Sequence, residues 1–214
     1  MRWTGYPGRS ASVQKGETSH LGIDMEHRHR RRAGSVRGFT LIEIMVALGL
    51  IAVMSAIAAM VMPTALRSAT ADSGAARVIS VLRTAREQAI SQRRNVRVTF
   101  AAPNQIVVTR INVPATTTTT LGTTVLETGV AFQLFVGVPD TPDAFGNASA
   151  TAFGTATSVM FTSEGTFVDQ SGDPVNGTVF LGRGVDPMTA RAVTIFGPTA
   201  LIRQWRWNSR VWTD

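Results

Sequence analysis

Glu43 is a lone carboxylate at the edge of nineteen uncharged residues, Ile44 to Met62, and stands five residues after Gly38, which closes a basic segment. An acid in such a setting is costly without a partner, so it reads as a functional group whose partner must be found. The remaining chemical inventory is narrow. His20, His27, His29, Lys15 and Tyr6 are the only residues of their kinds, all precede Gly38, and the chain has no cysteine. Beyond Gly38, acid–base or covalent catalysis would have to rest on paired carboxylates. Metal sites built from His or Cys are excluded there, which leaves an all-oxygen calcium site. Asp140, Asp143, Asp169 and Asp173 lie in loop-like sequence, but their spacing is not that of a calcium loop, and they read as solvated turn residues. No glycine-rich phosphate loop with its lysine is present. The reading therefore assigns no catalytic residue, metal or cofactor, and the chain is not read as an enzyme.

A second concentration of chemistry closes the chain. Arg203, Trp205, Arg206, Trp207, Arg210 and Trp212 bring three cations together with three of the four tryptophans. Arginines interleaved with aromatic rings suit phosphate contact and base stacking, hence DNA. The plainer reading, preferred here, is a final strand with Ile202, Gln204 and Arg206 on one face and Arg203, Trp205 and Trp207 on the other, guanidinium stacked on indole.

The element that must position Glu43 is a helix. Residues 44–62 would span roughly 28 Å as helix, against a hydrocarbon core of roughly 30 Å. Arg28, Arg30, Arg31, Arg32 and Arg37 precede it, as in a signal anchor whose basic end stays in the cytoplasm. Ala56-Ile57-Ala58 would serve a conventional secretory signal, and Arg31-Arg32 lacks the apolar pair expected after twin arginines.

Gly38-Phe39-Thr40-Leu41-Ile42-Glu43 followed by about twenty apolar residues resembles the class III signal of type IV prepilins and of the pseudopilins of type II secretion. The resemblance implies cleavage by a prepilin peptidase between Gly38 and Phe39 and N-methylation of Phe39. It also implies that Glu43 serves assembly by pairing with the Phe39 amine of its own or a neighbouring chain. An i,i+4 spacing would put the two on one helix face. Ala76 to Phe100, with arginines spaced along a helix that leads into Asn95-Val-Arg-Val-Thr-Phe, resembles the GspH/FimT branch of minor pseudopilins and pilins. So do Phe161-Thr-Ser-Glu-Gly165 and Arg191-Ala-Val-Thr-Ile. FimT-like members bind DNA through an arginine-bearing C-terminal region, but the glycine of a Gly-Arg-x-Arg motif is absent before Arg203.

The organisation expected is a cleaved basic leader (1–38), a transmembrane helix (39–62), an amphipathic continuation (63–94) and a periplasmic β domain (95–214). The leader holds eight of the 21 Lys+Arg and three of the 14 Asp+Glu, so the formal charge falls from +7 to +2 without it. The high charge is thus not a nucleic-acid footprint for the whole chain. Met25 would start a shorter leader of the usual prepilin kind. In the amphipathic part Val78, Leu82, Ala85 and Ala89 form a stripe widened by Ile79 and Ile90, Arg83 can pair with Glu87, and Pro63 predicts a kink or short break.

Beyond Asn95 alternation predicts a hairpin, Val96 to Phe100 with Ile106 to Val113. The threonine tract 116–120 reads as an exposed loop, residues 124–136 as a strand pair, and 137–156 as a long loop. Short strands follow at 158–162, 167–168, 178–181, 192–196 and 201–207. The fold class is α+β, a long N-terminal helix packed on a small antiparallel β domain. The function the resemblance implies is a minor pseudopilin at or near the pseudopilus tip in type II secretion. The alternative is a FimT-like minor pilin of a type IV pilus, with DNA binding in natural transformation. Its partners would be other pseudopilins or pilins, the prepilin peptidase and the inner membrane.

Overall fold

The computed structural model describes residues 38–214. The leader, its basic run and Met25 lie outside the described residues. Residues 38–40 are non-helical, and helix α1 runs from Leu41 to Gln92. It contains an 18-residue window of mean hydropathy 2.6, none of it buried, so it is long and apolar enough to cross a membrane. Helical residues continue on both sides of Pro63, and the short break does not occur. The proline forfeits one backbone bond, to the carbonyl four residues back, and the intact turns around it keep the helical path.

From Ala71 onward α1 buries a stripe of Ala71, Gly74, Ala75, Val78, Leu82, Ala85 and Ala89, which contains the expected positions and begins earlier. Small residues dominate it, so the backbone approaches the sheets closely. At Gly74 an added Cβ would sit 2.9 Å from Val130 Cγ1 and 3.2 Å from Leu181 Cδ1. Ile90 is exposed instead of widening the stripe, although its side chain lies over Gly165. Arg83 and Glu87 form no ion pair among the described residues.

Two antiparallel sheets share the core with this stripe. One has the order β3-β2-β1-β6-β7, the strands being β1 Val96–Ala101, β2 Gln105–Ile111, β3 Thr118–Val125, β6 Val159–Phe161 and β7 Phe167–Val168. The other has the order β11-β10-β9-β8-β4, with β4 Val130–Phe132, β8 Gly177–Arg183, β9 Arg191–Phe196, β10 Leu201–Trp207 and β11 Trp212–Thr213. The short strand β5, Thr151–Ala152, also pairs with β8. The expected first hairpin forms, Val98 lying opposite Val108, with Val96, Val98, Ile106 and Val108 directed inward.

Two expectations are corrected. Thr118–Thr120 belong to strand β3, which pairs with β2 through a register shift at Val108/Thr109. This strand is at a sheet edge with most of its residues exposed, so no apolar alternation marks it in the sequence. Residues 124–136 are not a strand pair, because β3 and β4 lie in different sheets. Buried Leu126 and Gly129 at φ +85° carry the chain across, the latter in backbone that glycine adopts without strain.

Strands β8 and β9 are buried on both faces. Val179, Leu181, Val193 and Ile195 join the main core. Phe180 and Ala192 face a second cluster with Trp207, Trp212 and the partly buried Phe135, Val138 and Trp205. The loop after β4 thus covers the outer face of the second sheet.

Candidate functional site

At the amino-terminal junction Gly38 is exposed with open space around it, and Phe39 is 77% exposed. The Gly38–Phe39 bond therefore lies in accessible, non-helical chain, the form a protease subsite takes up. Thr40 caps the helix: its Oγ1 accepts from the Glu43 amide at 3.2 Å, and its carbonyl accepts from the amides of Glu43 at 3.1 Å and Ile44 at 3.2 Å. Thr40-x-x-Glu43 has capping-box spacing, a signal present in the sequence, and the Thr40 half of the box is formed. A carboxylate in the first turn also complements the helix dipole. Because the helix begins at Leu41, Phe39 stands just outside the regular geometry that an i,i+4 pairing presupposes.

The C-terminal residues are divided between two networks on opposite faces of β10. On one face Asp143, from the long loop, accepts from Thr194 Oγ1 (2.6 Å), Arg203 Nη1 (2.9 Å) and Trp205 Nε1 (3.0 Å). Its carboxylate is 14% exposed, which corrects its reading as a solvated turn residue. Asp140 accepts from the amides of Thr141 and Gly146, and Asp169 from those of Ser171 and Asp173, both as local loop stitches. A depression of about 290 Å³ adjoins Asp143, lined also by Phe145, Thr194, Phe196, Leu201 and Arg203.

On the other face Arg206 donates to Ser68 Oγ at 2.9 Å and lies 3.9 Å from Asp72 Oδ2. Beside it Arg191, fully buried, donates Nε to Asp72. Its Nη1 serves the carbonyls of Met188 (3.1 Å) and Ala190 (2.9 Å), and its Nη2 the carbonyl and hydroxyl of Ser68 (3.4 and 2.8 Å). All five guanidinium N–H groups are thus occupied. Asp72 carries no local motif and Arg191 stands out only as the start of the Arg191-Ala-Val-Thr-Ile segment, so the sequence does not disclose their pairing.

The structure therefore does not bring the sequence-predicted arginines together. Arg203 and Arg206 face apart, as alternation requires, and engage carboxylate and hydroxyl groups instead of indole faces. Arg210 is exposed, and its amide donates to Asn208 Oδ1. Trp207 is buried against Trp212, ring centroids 5.4 Å apart, and Trp212 Nε1 donates to the Pro139 carbonyl. Neither indole is presented for stacking on a base.

Residues 34–59 match the family model of the prokaryotic N-terminal methylation motif, which takes in the Gly38–Glu43 junction and most of the apolar run. Among solved structures the chain is similar to the minor pseudopilin EpsH from the Type 2 Secretion System of Vibrio cholerae. One determination has 14% identity over 62% of this chain and 93% of that one, with TM-score 0.41. A second has 15% identity over 64% and 94%, with TM-score 0.39. No curated protein sequence matches the chain. The chain thus carries a prepilin-type methylation motif at the head of a long helix whose second half packs on antiparallel sheets.

Proposed function

We propose that the protein is a minor pseudopilin, a structural subunit at or near the tip of the type II secretion pseudopilus, serving protein export across the outer membrane. The observation that carries this reading is the prepilin-type junction: an accessible Gly38–Phe39 bond, a capped helix start, and Glu43 in the first turn of an apolar helix. Prepilin peptidase cuts after Gly38, and the new Phe39 amine is methylated. The cut leaves a cation at a helix N-terminus, where the macrodipole disfavours positive charge. Glu43, within the first turn, offsets that cation in its own chain or in a neighbouring subunit. In the dry core of a filament an unpaired charge is far more costly than a paired one, so a subunit enters favourably in one register.

Residues 39–62 hold the subunit in the inner membrane before assembly, with the β domain on the periplasmic side in contact with other pseudopilins. The ordered partners of Arg203 and Arg206 and the burial of Trp207 support a structural role for the C-terminal ending over the DNA-binding role of a FimT-like minor pilin. The test is Glu43→Val in cells that hold the peptidase. Membrane insertion and cleavage should persist while the protein is lost from purified filaments. Wild-type levels in those filaments would overturn the assembly role.

A further inference from the structure

Among the described residues β3 is the longest strand at a sheet edge, with no strand on its outer side; β10 is covered by β11 only at Arg206 and Trp207. The other sheet ends are β7, β11 and β4, of two, two and three residues, short enough to offer little template. β3 has eight residues, Thr118-Thr-Thr-Leu-Gly-Thr-Thr-Val125, with no charge and no proline. Proteins commonly blunt a free edge with charges and prolines, because its unpaired N–H and C=O groups recruit other chains. The Leu126 amide is bonded inward to the Asn104 carbonyl, and alternation from there points the Thr123 and Val125 amides outward.

The flank of this edge is predominantly basic. Residues 73–127, which include the helix beside β3 and the β1–β2 hairpin, carry seven arginines against Glu87 and Glu127; Glu127 is engaged by Ser73, and Arg83 and Arg86 turn toward Thr199–Ile202, which leaves Arg77 as the arginine of the groove itself. A groove of about 240 Å³ runs between α1 and β3, lined by Arg77, Ser80, Val81, Val108, Leu121 and Thr124 among others. Arg77 is exposed there and has no carboxylate partner among the described residues.

From these two independent features we infer that β3 is a docking edge for an extended, acidic segment of another protein chain. That segment adds as a further strand and sets its carboxylates toward Arg77 and the basic flank. Backbone bonds to the edge supply affinity, and the charge supplies selection. A second copy docking edge to edge would set two basic flanks side by side, and the charge pattern disfavours it. The inference stands on the β domain and its helix, independent of the filament reading.

The test uses full-length protein in detergent micelles and two fluorescein-labelled octapeptides, one alternating glutamate with valine, the other lysine with valine. The glutamate peptide should bind, weaken with added salt, and exceed the lysine peptide by roughly tenfold or more. Thr123→Pro, which removes an outward N–H and spares the ladder to β2, should weaken binding by roughly fivefold or more, while Thr123→Ala should not. Arg77→Glu, at an exposed helix position, should reverse the peptide preference and covers the case in which Thr123→Pro misfolds. Failure of the glutamate peptide to bind, equal binding of both peptides, or indifference to both Thr123→Pro and Arg77→Glu would overturn the inference. A protein dimer dissolved by Thr123→Pro would give the edge to a second copy and overturn it as well.

Discussion

Replacing Asp72 by alanine should be among the most damaging single changes outside the hydrophobic core. The substitution leaves Arg191, at 0% exposure, with a bare Nε–H and an uncompensated charge. Breaking a buried ion pair from one side costs about 3–5 kcal/mol. Asp72 itself is 36% exposed, and four other bonds to Met188, Ala190 and Ser68 continue to hold the guanidinium, so the lower end, about 3 kcal/mol, is expected. For a chain of this size that corresponds to a fall in Tm of roughly 6–12 °C. Thermal unfolding of the full chain in detergent, followed by fluorescence of the C-terminal tryptophans, measures it. The double variant Asp72→Leu with Arg191→Met removes both charges and should recover most of the loss. A single-variant loss under about 1 kcal/mol, or a double variant no better than the single, would refute the reasoning.

Three further outcomes are expected. Asp143→Ala should cost about 1–3 kcal/mol, because three donors lose one acceptor, and limited proteolysis should then cut faster within residues 137–150. Gly74→Leu should cost about 1–3 kcal/mol by forcing Val130 and Leu181 apart, which a lowered Tm would report. Duplex DNA affinity, measured across a salt series, should be unchanged by Arg203→Ala combined with Arg206→Ala, and a clear drop would revive the DNA reading of the chain end.

What the sequence discloses depends on whether a residue's environment is set locally. The helix stripe from Val78 to Ala89 and the hairpin of β1 with β2 are legible because burial on one face imposes a period. The last strands, from Val159 to Trp207, are legible because turn residues bound them. Strand β3 is illegible for the converse reason: only Leu121 and Thr124 are half-buried, its other residues are in solvent and show no period, and pairing with β2 makes it a strand. Residues 124–136 read as a strand pair because a sequence does not state which sheet a strand joins.

The same distinction separates the candidate sites. Gly38, Phe39 and Glu43 form a contiguous motif, and the Thr40 cap was readable in the same six residues. The Asp72–Arg191 pair spans 119 positions, and Asp143 reaches Arg203 across 60, so nothing in their immediate surroundings marks them. Strand alternation in the sequence already separates Arg203 from Arg206, but the groups each one meets, Asp143 for one and Ser68 with Asp72 for the other, come from distant segments.

The Arg191 clasp has a mechanical corollary. Ser68 and Asp72 grip the second sheet only six and ten residues beyond Met62, where the apolar rod ends. The apolar packing further along α1 is non-directional, whereas the five bonds to one guanidinium are oriented and short-ranged. An axial tug on the rod would therefore load this latch first and reach the greasy interior only after it had sprung.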